Sequence, residues 1–496
     1  MAKGYEKSSQ QNKNGGGITV KKSENFSEWY TRVIEKAEIV DLRLGIKGFI
    51  TIRPWGTLII EKLYDFFEEE LQKRGHLPVI MPSVIPESNL KKEASHIKGF
   101  TPEVFWLQAE KGEEGEEKLA LRPTSETLFT PMFALWIRSH RDLPLKLYQR
   151  GSVFRHDTKA TRPLIRGREF QWIECHDAFA TKHDAEAQVQ EDIETTEKIL
   201  HEKLGIPFFA MKRPQWDKFA GAEYTIGSDV FMPDGKLIQQ PSTHYMGQRF
   251  SRAFNAKFKT ESEKEEYLYT TAYGPAMSRI LVSIISTHGD DKGLILPFSI
   301  SPIQAVVIPI YTVKNKSKIE KYASDIYNKL KNSGVSTKLD SRDIYSPGWK
   351  FNEWELKGIP LRIEIGEREL KAKKVTLFIR DTGKKQLLAF SKLKGIEKIG
   401  KEYDLRLRKR AENFANNRAV NCKSKTEVKK AVDSGKMARV NWCSIDEPGI
   451  KCAEVIEKET GANIRGILAN KKEKAKGKCI VCNRQANEIA YIAKSY

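Results

Sequence analysis

The sequence predicts a multidomain α/β protein, and three observations carry that expectation. Residues 148–180 read as two strands joined by a Pro-containing loop, with guanidinium and carboxylate groups crowded along them. From Ser301 onward, short strands alternate with amphipathic helices, the pattern of an α/β unit with a mostly parallel sheet. Four of the six cysteines then fall within the last stretch of the chain, from Cys443 to Cys482. At 496 residues, the length fits about three domains. Boundaries are expected near residues 300 and 400, after a disordered polar tail over residues 1–22.

Composition narrows the function classes. A hydrophobic content of 40% supports buried cores, and no apolar run approaches the ~20 residues of a membrane span. Residues 1–20 are polar and carry no signal-peptide core. The net charge of +20 is uneven: up to Ile300 there are 42 basic and 42 acidic residues, afterwards 43 against 23. A neutral body followed by a basic third suggests a catalytic region beside one that binds a polyanion, although basic surfaces also serve solubility. So few cysteines in so long a chain do not make a disulfide scaffold, which fits a reducing cytoplasm.

In chain order, Phe26, Trp29, Tyr30, Val33, Ile34 and Ala37 share one face of a short helix. Thr57–Arg74 is a stronger amphipathic helix, with Leu58, Ile60, Leu63, Tyr64, Phe67 and Leu71 on one stripe and Gly75 as its C-cap. A strand His76–Met81 is expected before Pro82. In LALRPTSETLF (119–129), a strand runs into a helix start where Thr124 or Ser125 could cap free N–H groups. The first strand of the central pair leads into Arg155 and Asp157, and its loop carries Arg162 and Arg166. The return strand carries Arg168, Glu169, Phe170, Trp172, Glu174 and His176, in which alternation sets Phe170, Trp172, Glu174 and His176 on one face. Such a cluster of Arg forks suits phosphate oxygens, although half-buried hairpins with solvated arginines are also common.

A long helix follows over Thr181–Leu204, then a strand-rich region reaching QQPSTHYMGQRFS (239–251). A further helix starts near Pro275 with Arg279 in its first turn. Beyond Ser301 come a strand Ala305–Ile310, a helix Ser317–Lys331, VSTKLD, a helix around Trp349–Lys357, and the strands LRIEIG and KVTLFIR. A Lys/Arg-rich helix spans 401–418. The pair in GKCIVCN has the C-x₂-C spacing of a tetrahedral metal turn, whereas NWCSIDEPGIKC puts eight residues between Cys443 and Cys452, a looser pair.

The strings FRHD and RGREFQW resemble motif 2 of the class II aminoacyl-tRNA synthetases, and REFQWIECHDAFA looks like the prolyl-tRNA synthetase version. The resemblance runs from about residue 25 to the end. It implies an antiparallel-sheet catalytic domain over 23–300, an anticodon-binding domain over 301–400, and a small zinc-binding C-terminal domain over 401–496. It also implies roles. Arg155 would grip the ATP α-phosphate, Asp157 (where the family usually has Glu) the adenosine side, Arg166 the outer phosphates, and Phe170 the adenine face. Thr124 and Glu126 of RPTSE would receive the two N–H donors of the proline ammonium, Trp172 and Phe219 would enclose the ring, and Arg155, Glu174 and His176 would complete the proline site. Gln239 and Ser242 would hold ATP and His244 would lie by the amino acid; PSTHYMGQ departs from the commoner Thr-Ser-His-His-Leu-Gly-Gln at Ser242 and Tyr245. His244 could equally be a satisfied core histidine.

Arg279, in the motif 3 position, would contact the terminal phosphate, making Arg155 and Arg279 the catalytic pair. SPGWKFNEWELKGIPLRIEIG (346–366) resembles the anticodon domain shared by the prolyl, threonyl, histidyl and glycyl enzymes, with Arg342, Lys350, Glu353 and Arg362 as candidate base or backbone readers. Cys443, Cys452, Cys479 and Cys482 would hold a structural Zn²⁺, four small buried thiols being the plainer reading. That domain would lead Tyr496 back toward the active site. The region after Pro54 resembles motif 1, which forms a homodimer interface in the family. Gln239 follows Asp177 by only 62 positions, too few for the large editing insertion of the bacterial-type enzymes. The expected partners are therefore ATP with Mg²⁺, L-proline and tRNA(Pro). A non-catalytic tRNA-binding relative and a ligase for threonine or glycine are the alternatives; the motif arginines weigh against the first and RPTSE against the second.

Overall fold

The computed structural model describes residues 17–96, 104–108, 117–156 and 160–496. The first sixteen residues of the expected tail, and Asp157, lie outside them. The chain divides into two compact units, one formed by the described residues up to Arg43 with Thr51–Lys62 and Ile284–Arg410, the other by Leu44–Ile50, Leu63–Ser283 and Ala411–Tyr496. Among the described residues, no helix is long and apolar enough to cross a membrane.

The second unit is built on an eleven-stranded sheet. From one edge its strands are Ala419–Asn421, Met437–Trp442, Glu488–Ala493, Asn463–Leu468, Phe209–Lys212, Tyr224–Phe231, Leu237–Gly247, Tyr269–Gly274, Glu169–Phe179, Leu145–Phe154 and Leu77–Pro78. Every pairing is antiparallel except the outermost at each edge. The antiparallel catalytic sheet expected from the sequence is present, and the C-terminal strands continue it: Ile467 and Leu468 pair with Lys212 and Met211. The expected strand His76–Met81 shortens to Leu77–Pro78, because Pro78 and Pro82 cannot donate to a ladder.

The central hairpin is longer than its sequence signal. Its strands pair from Leu145↔Ala178 to Phe154↔Glu169, so Glu174 and His176 sit on regular strand. The helix after it begins at Thr181, whose hydroxyl accepts from Asp184 N–H at 3.1 Å, and changes to π-helix over Glu197–Lys203. It packs Ala185, Val189 and Ile193 in a cluster with Phe179, Ile226 and Tyr245. The helix Pro54–Lys73 starts earlier than expected, since Pro is tolerated in a first turn. Its buried stripe is Ile59, Ile60, Leu63, Tyr64, Phe67 and Leu71, and Leu58 is half exposed. Gly75, at φ +87°, turns the chain out of it.

The first unit holds a five-stranded sheet in the order Thr337–Leu339, Ala305–Pro309, Leu361–Ile365, Lys374–Ile379, Lys384–Ala389. Its first two pairings are parallel and its last two antiparallel. This corrects the expected mostly parallel sheet: the last two strands form a hairpin closed by Arg380–Gly383, with Gly383 at φ +67°, a turn too short for a parallel crossover. Helix Lys316–Lys331 buries Ile319, Ala323, Ile326 and Leu330 against this sheet. The basic helix runs Ile396–Asn416 and starts earlier than expected because Ile396 and Leu393 belong to the same core.

Candidate active site

One cavity of about 260 Å³ opens in the sheet-based unit, between the hairpin, the strand Leu237–Gly247 and the first turn of helix Met277–His288. Thr124, Glu126, Arg155, Phe170, Trp172, Glu174, His176, Gln239, Ser242, His244 and Arg279 all line it, as does Phe219. These residues come from five separate segments, and strand alternation explains the four on the hairpin's return strand. Gly274 lets the Trp172 ring close over its backbone: a Cβ there would lie 2.9 Å from that ring.

The cavity has a cationic end and an acidic end. At the cationic end, the Arg155 guanidinium lies 5.1 Å from the centre of the Phe170 ring and 5.9 Å from that of Trp172, and its Nε donates to Pro123 O at 3.3 Å. Arg279 donates from Nε to Ile165 O at 3.2 Å and from Nη1 to Gln239 O at 3.4 Å. Burial, then the facing Arg155 and Arg166, push the Arg279 guanidinium down to about 10. It remains a cation at neutral pH, and Arg155 and Arg279 in the cavity wall, with the exposed Arg166 close enough to repel Arg279 although it does not line the cavity, make a site for a polyanion.

At the acidic end, Glu126 and Glu174 are buried and their environments push them apart. Glu174 is satisfied: Ser125 Oγ donates to its Oε1, Gln149 Nε2 donates to the same oxygen at 2.8 Å, and the His176 Nε2 lies 3.2 Å from its Oε2. Burial works against its charge, but His176, Ser125 and Arg122 hold it below the usual carboxylate range. Glu126 is raised, chiefly by burial, and its Oε2 has no hydrogen-bond partner among the described residues. A buried carboxylate oxygen left open in a cavity wall is suited to an incoming cation. His244 is held between Thr225 Oγ1 at 2.8 Å and Ser242 Oγ at 3.1 Å. Burial, with His176 and two arginines nearby, brings it down to about 3, so its ring is neutral.

Ser125 does not cap the helix Glu126–Trp136; its hydroxyl is spent on Glu174 instead. Sequence reasoning did not find Gln149 or Arg122. Gln149 takes N–H donors from Met81 and Arg122, both at 3.0 Å, while donating to Ser125 and Glu174. A glutamine at an inward position of a buried strand was the available signal. Lys218 also lines the cavity, and Arg213 and Asp217 do so without having been anticipated.

Comparison with known proteins bears on this arrangement directly. Residues 105–288 match the class II tRNA synthetase core domain (G, H, P, S and T), 304–398 the anticodon binding domain, and 425–496 the prolyl-tRNA synthetase C-terminal domain. The chain is 48% identical to the proline–tRNA ligase of Thermofilum pendens, over 97% of this chain and 99% of that protein. It is 41% identical to that of Pyrococcus abyssi, over 96% and 98%. The chain belongs to the prolyl-tRNA synthetases. Among solved prolyl-tRNA synthetases, the Giardia lamblia protein in complex with prolyl-adenylate superposes with a TM-score of 0.93 at 35% identity, over 97% of this chain and 100% of that one. The Cryptosporidium parvum protein complexed with L-proline and AMP gives 0.89 at 33% identity, over 97% of each.

In the other unit, the four candidate readers of a prolyl-tRNA synthetase anticodon domain have different surroundings. Lys350 is 3% exposed and donates to Asp340 O at 3.2 Å. Arg362 is 6% exposed, bonds Glu364 through Nε at 3.0 Å, and lies between the Phe351 and Phe378 rings. Arg342 reaches the surface, bridging Asp340 at 2.8 Å and Glu353 at 2.5 Å, with its guanidinium near the stacked rings of Tyr345 and Trp349.

The four late cysteines form a group that could hold a metal ion: their Sγ atoms all lie within 4.8 Å of one another. Tetrahedral thiolates at ~2.3 Å from a zinc ion are ~3.8 Å apart, and Cys443 and Cys452 are separated by 3.8 Å. The residues therefore fit the ion, long spacing included, because Cys443 ends a strand and the turn Glu447–Gly449 brings Cys452 back in the helix that follows. Arg484 lies 3.3 Å from Cys482 Sγ and is the main cause that holds this thiol below its ordinary range. Tyr496, the end of the tail expected to return toward the site, meets Asp234 and the hairpin loop through its ring, Oη donating to Asp234 at 2.6 Å and lying 3.4 Å from Arg162, and it is not among the residues that line the cavity.

Proposed function

We propose that this chain activates L-proline with ATP to form prolyl-adenylate and pyrophosphate, then transfers the prolyl group to the 3′ end of tRNA(Pro). The observation that carries this reading is the polarity of the cavity, with the Arg155 and Arg279 guanidiniums at one end and an open buried carboxylate at the other. Glu126 and Thr124 receive the two N–H donors of the proline ammonium, whose charge opposes the upward shift that burial imposes on Glu126. Trp172 and Phe219 enclose the ring, and Glu174, His176 and neutral His244 hold the floor. The proline carboxylate is already a nucleophile, so no base is required. It attacks the α-phosphorus in line, and pyrophosphate leaves.

Catalysis is then positioning and charge neutralisation: Arg155 at the α-phosphate, Arg166 and Arg279 on the outer phosphates, Phe170 on adenine, and Gln239 with Ser242 along the nucleotide. The nucleotide enters as its Mg²⁺ complex. Pyrophosphate exchange with each of the twenty amino acids, followed by transfer to tRNA, tests the reading. Proline is expected to support both steps well above every other amino acid; equal exchange with threonine or glycine would overturn it.

The domain boundaries near residues 300 and 400 belong to the same proposal, with residues 301–400 binding the anticodon through the face that carries Arg342 and the basic C-terminal third supplying long-range attraction for tRNA. Zinc is the proposed ion for the four thiols. All four are coordinated in such a site, which leaves no open position for water, so it shapes the C-terminal strands. Six unpaired cysteines suit a reducing cytoplasm. We also propose a homodimer through the region following Pro54, where Leu77 and Ile80 are 59% and 95% exposed and a second copy would cover them. Sedimentation at micromolar concentration is expected to give the dimer mass, and a monomer would refute it.

A further inference from the structure

Arg213 lines the cavity yet takes no part in the chemistry above. Its guanidinium is 1% exposed and reaches Asp229 in a bidentate pair, Nη1 to Oδ2 and Nη2 to Oδ1, both at 2.7 Å. A second guanidinium, Arg465, takes the same carboxylate from the other side, Nε to Oδ2 at 2.9 Å and Nη2 to Oδ1 at 3.0 Å. Arg213 also donates from Nη1 to the backbone carbonyl of Arg465 at 2.9 Å. Its Nη2 then turns to Gln239 Oε1 at 3.0 Å.

We propose that Arg465, acting through Asp229 and Arg213, orients the side chain of Gln239 and is thereby a positioning residue for ATP. This rests on the nucleotide role proposed for Gln239.

Three features of the backbone serve this chain of contacts. The strand Asn463–Leu468 shifts register against Glu488–Ala493 between Ile464 and Gly466. Arg465 is therefore the extra residue of a bulge, a device that re-aims one side chain. Gly466 sits at φ +123°, where a Cβ would lie 2.0 Å from Lys212 O, so the bulge requires glycine. On the strand Tyr224–Phe231, a Cβ at Gly227 would lie 2.4 Å from Arg213 Nη2, so that glycine makes the room the guanidinium occupies.

Gln239 is the end of the relay that faces the substrate. With Oε1 accepting from Arg213, its amide N–H₂ is the group it can offer to the cavity, and the opposite orientation would set two donors against each other. Its own backbone carbonyl accepts from Arg279, so side chain and main chain of one residue are tied to two different arginines. Asp229 is completely buried. Burial would raise its carboxyl, but the two guanidiniums hold it down at about 2, and the relay stays charged at any working pH. Arg465 itself is steadied by Ser495, its Nη1 lying 3.3 Å from the hydroxyl, which brings the last residues of the chain into the same network.

The test is a double-mutant cycle on the full-length protein, with Mg·ATP binding measured by calorimetry and KM for ATP and for proline measured by pyrophosphate exchange. Lysine at 465 keeps a charge but not the bidentate fork. Arg465→Lys is expected to weaken ATP about tenfold, the scale of disturbing one charged hydrogen bond, while KM for proline stays within twofold. In a Gln239→Ala background the same substitution is expected to change ATP affinity less than twofold. A tenfold loss in both backgrounds would mean that Arg465 acts as general scaffolding and would overturn the proposal, as would equal rises in the two KM values. Should Arg465→Lys not fold, Ser495→Ala loosens the same guanidinium more gently; about threefold weaker ATP, silent without Gln239, is then expected, and no change overturns it. A wild-type protein that binds ATP but shows no proline-dependent exchange would sink the functional reading alone, leaving the calorimetric cycle to decide on the relay.

Discussion

Arg155→Ala is expected to lower prolyl-adenylate formation at least ~10²-fold, the scale of removing one aligned charge donor from a transition state. The residue sits just after the first hairpin strand, and its guanidinium reaches the cavity over the faces of Phe170 and Trp172. Charge accumulates on the α-phosphate oxygens as the proline carboxylate attacks, so the loss should appear in turnover as well as in binding. The fold should persist, because the strand pairs through its backbone down to Phe154↔Glu169. Far-ultraviolet circular dichroism serves as the control. Arg155→Lys should recover only part of the rate, since an ammonium cannot grip two oxygens in the plane of a fork. Unchanged pyrophosphate exchange in the alanine variant would remove Arg155 from the chemistry.

The hairpin shows how far sequence reasoning reaches. Phe170, Trp172, Glu174 and His176 recur at period two, so one local rule places all four on the same wall of the cavity. Gln149 and Arg122, which fix Glu174 from behind, carry no such mark because their partners are set by tertiary packing. Arg213 and Arg465 are 252 positions apart, and nothing local announces that they share one carboxylate. The anticodon candidates illustrate a different limit. Lys350 and Arg362 read as available charges, but Asp340, Glu364 and two phenylalanine rings take them up internally. The length of the second unit's sheet was also illegible, since the strand Phe209–Lys212, paired on one side with Tyr224–Phe231, finds its other partner only in the last part of the chain.

Cys479→Ser is expected to abolish binding of the proposed zinc ion, with a fall in affinity of more than ~100-fold, beyond the 10–100-fold that even outer-shell changes cost. Serine is a poor substitute because its hydroxyl is not deprotonated at neutral pH as a coordinated thiol is. Around the site, Trp442, Ile445, Ile456 and Ile492 pack with the thiols in one cluster, so loss of the ion should raise protease sensitivity after Asn421. Adenylate formation should then fall indirectly, because the affected strands adjoin the catalytic ones. Elemental analysis of wild-type protein purified without chelators should give one zinc per chain. A value well below one would make these four residues ordinary core thiols.

The continuous sheet also sets an order for biogenesis. While the chain emerges from a ribosome, the strand Phe209–Lys212 can pair with Tyr224–Phe231 soon after synthesis, but its other side must wait for Ile467 and Leu468. For most of translation the nascent protein thus carries an open row of backbone donors and acceptors, the feature that invites pairing with a neighbouring chain. The edge strand itself offers Phe209, Ala210 and Met211 followed by Lys212 and Arg213. The Lys212 ammonium gives the unfinished edge a charge that discourages a like edge from docking on it until the C-terminus arrives, Arg213 being already paired with Asp229 of the neighbouring strand.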